Sequence, residues 1–213
     1  FSIRGLLGAG REVSSLLLAG DLEGARRHVG RHLVSRPTDA FAPHQVVSAT
    51  VESLAENLTD SFVAPIFFYL VFGLPGAWVY RVINTADAML GYREGGLEYL
   101  GKAAARLDDL ANLIPARLAG LGIVAGAFLA GEAPGRAWRI MWRDHALTAS
   151  PNAGWTMSAM AGALGVVLEK PGIYRLGDGA LPVVESINRA MGVIFWATGL
   201  FLVSSLSGAF LWR

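Results

Sequence analysis

A-M-G-V-I-F-W-A-T-G-L-F-L-V-S-S-L-S-G-A-F-L-W, running from Ala190 to Trp212, decides the fold: it is predominantly apolar and carries no charge. A helix needs about 20 such residues to cross the roughly 30 Å hydrocarbon core of a bilayer. Trp212 and Arg213, at its end, suit a membrane–water interface.

The rest of the chain has a composition to match. Hydrophobic residues make up 53% and charged residues 16%, with a mean hydropathy of +0.43, whereas soluble domains carry about 25% charged residues. Such a chain lacks the polar groups to cover its own surface. The net charge of +1 offers no footprint for nucleic acid or for an acidic macromolecular partner. The absence of cysteine excludes disulfide scaffolds, thiolate zinc sites and cysteine nucleophiles. The chain opens on Phe1 with Arg4 close behind, which fits neither a signal peptide nor an initiation site. It is read as a fragment preceded by further apolar segments.

Leu113 to Gly131 is a second spanning candidate, with Pro115 and Arg117 expected in its first turn. Phe62 to Tyr80 is apolar too, but Pro65 and Gly73-Leu74-Pro75-Gly76 break it into pieces too short to cross alone. A re-entrant helical hairpin is expected there, and it would let the polar segments on either side meet. Ala153 to Leu168, rich in Gly, Ala, Ser and Met, reads as a short helix packed closely inside a bundle. Glu12 to Ser35 and Gly95 to Asn112 read as charged, amphipathic connecting helices. The expected fold is therefore all-α: one polytopic helical membrane domain over residues 1–213, with broken or re-entrant helices and amphipathic connections. Lys and Arg occur in every connecting segment, so charge asymmetry does not orient it.

Four polar constellations lie at the borders of these apolar segments. In Val51-Glu52-Ser53-Leu54-Ala55-Glu56-Asn57-Leu58-Thr59-Asp60, the acids recur every four residues and share one helix face. Their mutual repulsion calls for a cation or basic partner. The bland alternative is a solvated acidic face, but carboxylates running into a membrane segment tend to mark function. Arg81-Val82-Ile83-Asn84-Thr85-Ala86-Asp87 and the following Arg93 mix oxygen ligands for a hard cation with bases for phosphate; helix capping is the alternative. Lys102, Arg106, Asp108, Asp109, Asn112 and Arg117 form either a magnesium-phosphate site or an interfacial helix with local ion pairs. Ser150-Pro151-Asn152 opens the small-residue helix, a place for an anion or simply a helix start. His28 and His32 lack a third ligand candidate nearby. Together the clusters suggest magnesium and a phosphorylated compound.

The segments V-E-S-L-A-E-N-L-T-D-S (Val51 to Ser61), Y-R-V-I-N-T-A-D-A-M-L-G-Y (Tyr80 to Tyr92), A-A-R-L-D-D-L-A-N-L-I-P-A-R-L (Ala104 to Leu118) and S-P-N-A-G (Ser150 to Gly154) resemble, in order, the signatures of the CobD/CbiB family, the membrane adenosylcobinamide-phosphate synthases. The resemblance implies a multi-pass protein of the cell (inner) membrane that joins adenosylcobyric acid to aminopropanol or aminopropanol phosphate as an amide, using ATP and Mg2+. It allows a homo-oligomer in the lipid bilayer. With charge and spacing, it makes Glu52, Glu56, Asp60, Asp87 and Asp109 candidates for catalysis and Glu56, Asp87, Asp108 and Asp109 candidates for metal. Arg36, Asn57, Asn84, Thr85, Lys102, Arg106, Arg117, Ser150 and Asn152 become candidates for substrate or phosphate. Where that family often reads Arg-Asp-Thr, this chain reads Arg36-Pro37-Thr38, followed by Asp39. The rival readings are a transporter or corrinoid-binding membrane protein without bond-making, a related regulatory membrane protein, and a membrane phosphotransferase.

Overall fold

The computed structural model describes residues 3–90 and 98–211, with the side chains of 98, 100 and 208–211 excepted. Arg93, Trp212 and Arg213, for which the sequence suggests roles, lie outside the described residues. The chain opens with α1 (Ile3–Leu18) and α2 (Leu22–His32), the latter the Arg-rich helix expected within Glu12 to Ser35. Gly20 turns the chain at φ 77°, a conformation open to glycine. Asp21 then caps α2 by accepting the Gly24 N–H at 2.7 Å.

Helix α3 (Pro43–Leu58) starts on a proline, whose missing N–H costs nothing in a first turn. Gln45 Oε1 accepts the Ala42 N–H there at 2.8 Å. It continues through a π-helical turn (Thr59–Val63) into α4 (Ala64–Leu90). α4 is not straight. Gly73 sits at φ 67°, ψ −162°, a region essentially reserved for glycine. Beyond it the chain doubles back. The Phe68 and Tyr80 rings stack with centroids 5.2 Å apart, and the Tyr80 hydroxyl reaches Asp60 Oδ1 at 3.4 Å across a separation of twenty residues. A straight helix would place those residues about 30 Å apart. The expected hairpin thus forms, with Gly73 making the reversal and Pro75 starting the returning limb. Its tip presents Val71, Phe72, Leu74 and Trp78 outward.

Helix α5 (Glu98–Leu129) corrects a boundary. The amphipathic and spanning segments expected around Asn112 are one continuous helix, so Pro115 and Arg117 lie in its interior rather than in a first turn. Packing against its neighbours holds it through the proline. A Cβ on Gly126 would stand 2.7 Å from the Val193 oxygen of α8 (Val184–Leu211), so the two helices cross at backbone contact.

α6 (Pro134–Asp144) and α7 (Ala153–Leu164) pack the same way: a Cβ on Gly162 would lie 2.8 Å from the Ala137 Cα. Every residue of α7 from Gly154 to Leu164 is buried, and its twelve residues span only about 18 Å. It is the central helix of the core, touched by α3, α5 and α6. After it comes an element that the all-helical expectation lacks, an antiparallel ribbon of β1 (Leu168–Lys170) and β2 (Tyr174–Leu176) with Lys170 opposite Tyr174.

Three stretches, Pro43–Leu90, Gly101–Leu129 and Val184–Ser207, are long and apolar enough to cross a membrane. The first is the one doubled back at Gly73. On α8, Ile187, Ala190, Val193, Ile194 and Ala197 are buried while Phe195, Trp196, Val203 and Leu206 are exposed, the division expected of a helix with one packed and one lipid-facing side.

Candidate functional site

The hairpin brings the acidic constellations together. Asn112, buried on α5, is the hinge of the arrangement. Its Nδ2 donates to Asp60 Oδ1 at 3.2 Å and to Asp108 Oδ2 at 3.0 Å, while its Oδ1 accepts the Tyr80 hydroxyl at 3.1 Å. Asn84, on the returning limb of α4, donates to Asp108 Oδ1 at 3.2 Å and accepts from Arg81 at 3.4 Å. Three segments, the π-helical turn, the returning limb of α4 and α5, thus meet through two amides and one phenol. Asp60, Asp108 and Asn112 line, with Glu56, Ser150 and Asn152, a small chamber of about 30 Å³.

Asp109, beside Asp108 on α5, does not line the chamber but ties α5 to the Ser150-Pro151-Asn152 turn. It accepts the Ser150 hydroxyl at 3.1 Å, and its backbone oxygen accepts the Asn152 amide at 2.7 Å. Arg117 donates to Asn152 Oδ1 at 3.4 Å and lies 4.8 Å over the Trp155 ring. The Ser-Pro-Asn turn therefore does more than start α7: it ties that helix to the aspartate pair. Asp87 is half-buried and within electrostatic range of Asp108 and Asp109 but does not line the chamber.

A second, larger cavity of about 260 Å³ lies between α3 and the β ribbon, bordered by Arg36, Glu52, Ser53, Glu56, Lys170 and Tyr174. Glu52 is buried at its wall. It accepts the Ser48 hydroxyl at 2.7 Å and the Tyr174 hydroxyl at 2.5 Å, with Arg36 Nη2 at 3.8 Å. Burial and the Glu52 carboxylate push the Tyr174 phenol above its ordinary range, so it stays a hydrogen-bond donor.

Glu56 borders both cavities. The reason lies in helix geometry. Steps of four residues advance about 40° around a 3.6-residue helix, so Glu52, Glu56 and Asp60 drift rather than share one face. Glu52 looks into the cleft, Asp60 into the chamber, and exposed Glu56 stands between them.

Other candidates lie elsewhere. Asn57 donates back to the Ser53 oxygen of its own helix at 2.9 Å. Thr85 faces an apolar groove along α4. Lys102 and Arg106 are exposed, Lys102 standing over the Tyr99 ring, and neither lines the two cavities. In the Arg36-Pro37-Thr38 turn, buried Thr38 donates to the Arg26 oxygen at 2.8 Å while Asp39 is exposed. His28 and His32 have ring centroids 4.6 Å apart on α2; burial and the neighbouring His32 lower the His28 pKa.

A family model described as CobD/Cbib protein matches residues 1–203. The chain belongs to the CobD/CbiB family. It is 52% identical over 195 residues to the cobalamin biosynthesis protein CobD of Dehalococcoides mccartyi (strain CBDB1), covering 91% of this chain and 63% of that protein. It is 49% identical over 177 residues to the probable cobalamin biosynthesis protein CobD of Methanothermobacter thermautotrophicus, covering 83% of this chain and 59% of that one. With the corresponding protein of Methanocaldococcus jannaschii it shares 45% over 188 residues, 88% of this chain and 61% of that protein. The chain thus spans about three fifths of the length of these relatives. No solved structure matches it.

Two of the residues that border the cleft of this CobD/CbiB chain, Lys170 and Tyr174, were not among the sequence candidates. A signal for them exists in Val166-Val167-Leu168-Glu169-Lys170-Pro171-Gly172-Ile173-Tyr174. Pro-Gly between short runs of β-branched and aromatic residues marks a hairpin. Gly172 takes φ 74°, and the Ile173 N–H returns to the Lys170 oxygen at 2.9 Å, as a type II turn requires. Among the described residues, no three His, Cys, Asp or Glu side chains form a ready-made metal cage.

Proposed function

We propose that the chamber and the cleft, joined at Glu56, form the active site of an ATP-dependent amide ligase of cobalamin biosynthesis. The reaction would join the carboxylate of adenosylcobyric acid to aminopropanol or aminopropanol phosphate in the cell (inner) membrane. Membership of the CobD/CbiB family supports the pathway. The observation that carries the chemistry is the position of Glu56, exposed between an acid- and amide-lined chamber and a cleft with cations on its wall.

Amide formation needs the carboxylate oxygen to be replaced by a better leaving group. Transfer of a phosphoryl group from ATP, releasing ADP, or of an adenylyl group, releasing pyrophosphate, makes a mixed anhydride at that oxygen; attack by the amine forms the C–N bond, breaks the C–O bond and expels phosphate or AMP. The amine arrives as an ammonium and must shed a proton before it attacks, a proton that Glu56 would accept. Asn112 and Asn84 hold the Asp60 and Asp108 carboxylates through the hydrogen bonds above, and Asn152 holds the Asp109 backbone.

The chamber fits magnesium in one particular mode. Mg2+ is usually held by one or two carboxylates together with substrate phosphates rather than by a full protein cage. Asp60 and Asp108, linked through one amide, supply such a pair. Bound there, the ion would neutralise charge developing on the transferred phosphate.

The test is reconstitution. Protein supplied with adenosylcobyric acid, aminopropanol phosphate and Mg-ATP should give the amide with stoichiometric nucleotide cleavage. Corrinoid binding with neither product nor nucleotide cleavage would replace the ligase by a carrier.

A further inference from the structure

We infer that Arg36 and Lys170, both lining the cleft between α3 and the β ribbon, form a subsite for a terminal phosphate group. The inference deepens the ligase reading and rests on it for the source of that phosphate, a nucleotide or a phosphorylated amine.

Three independent observations carry it. The first is the cavity itself, about 260 Å³ and bordered by both cations. The second is the state of the Arg36 guanidinium. Its Nη2 stands 3.8 Å from Glu52 and its carbon 5.3 Å from the Phe41 ring centroid. Its Nε and Nη1 are buried with no hydrogen-bond partner among the described residues. Buried charged donors left open are costly and call for a ligand or another partner to complete them, and a guanidinium is suited to phosphate oxygens. Glu52 does not fill that role, because it stands 3.8 Å from Nη2, beyond hydrogen-bond distance, and bonds neither Nε nor Nη1.

The third is the way Lys170 is held. The Glu169 N–H donates to Ser48 Oγ at 2.8 Å, pinning the ribbon to α3. Lys170 pairs in register with Tyr174, whose hydroxyl is tied to Glu52. The hairpin thus brings Lys170 to the same cavity as Arg36, and among the described residues its ammonium forms no ion pair within bonding distance. Glu52 and Glu56, the acids of the cleft, lie on the α3 side. A doubly negative phosphate fits the basic edge, and Glu56 remains toward the chamber.

The experiment is titration of inorganic phosphate into the detergent-solubilised protein, followed by 31P NMR and calorimetry, with no nucleotide or corrinoid present. Saturable binding to the wild type is expected, weakened about tenfold or more in Lys170→Met and in Arg36→Ala, and largely kept in Lys170→Arg. Displacement of phosphate by aminopropanol phosphate identifies the amine as the source; displacement by ATP identifies the nucleotide. Absence of binding to the wild type, or unchanged affinity in Lys170→Met and Arg36→Ala of native melting temperature, overturns the subsite. Phosphate binding that depends on both cations, in a protein without synthase turnover, leaves the subsite and removes the ligase. Turnover with phosphate affinity indifferent to both substitutions does the reverse.

Discussion

The Tyr80 hydroxyl lies 3.4 Å from Asp60 Oδ1, although twenty residues of mostly apolar helix separate them. That closeness depends on Gly73, whose φ of 67° and ψ of −162° are open to glycine and costly for anything else. Gly73→Ala should therefore cost about 1–3 kcal/mol and loosen the chamber. The expected result is a lower melting temperature together with reduced synthase activity. Retention of both would show that another segment makes the reversal.

Asn112 joins Asp60, Asp108 and Tyr80 from a buried position. Asn112→Ala leaves the Tyr80 hydroxyl and two carboxylates short of a partner, at about 1–3 kcal/mol for each group that stays dry. Asn112→Asp keeps the shape but adds a third negative charge beside two others. It should be the more damaging in activity, and its deficit should shrink as magnesium is raised. Thermal melts and turnover at two magnesium concentrations separate the two variants.

Much of this was legible in the chain before folding, and for reasons that differ by residue. The membrane helices follow from composition alone. The hairpin was readable because Gly73-Leu74-Pro75-Gly76 interrupts an apolar run, and so was the meeting of Asp60 with the residues after it. The start of the Arg-rich helix carries its own signal, a glycine followed by a helix cap at Gly20-Asp21. Pro115 misled because a proline normally marks a helix boundary, whereas here tertiary packing carries α5 through it. The cleft was hidden because its partners are remote: Tyr174 meets Glu52 across 122 residues. The drift of Glu52, Glu56 and Asp60 into different cavities needed the surrounding helices, not the spacing.

Away from the chamber, Asp144 anchors the loop after the ribbon. Burial alone would raise its pKa, but hydrogen bonds from Arg143 at 2.6 Å and from the Gly177 N–H at 2.7 Å outweigh it and hold the carboxyl below its ordinary range. A folded pKa below the unfolded one gives stability that is full above the unfolded value and lost as pH falls through the folded value. Asp144→Asn should thus be destabilised by about 1–3 kcal/mol at neutral pH, and the gap from wild type should narrow below about pH 4. Melting curves at pH 7 and pH 3.5 check this; a gap independent of pH would assign the loss to packing.

Glu52 and Glu56 offer the sharpest contrast, since one turn of α3 separates them. Glu52 is buried and held by Ser48, Tyr174 and Arg36, so Glu52→Gln disturbs a packed network and should lower the melting temperature along with activity. Glu56 is exposed between the cavities and has no hydrogen bond among the described residues. Glu56→Gln should melt like the wild type yet lose about 10²–10⁴-fold in turnover, the range for removing a general base. Substrate binding by calorimetry should change far less than turnover, because the group acts on a proton during bond formation. Wild-type turnover in Glu56→Gln would move the proton acceptor to another carboxylate, and Asp109→Asn would then be the next variant to measure.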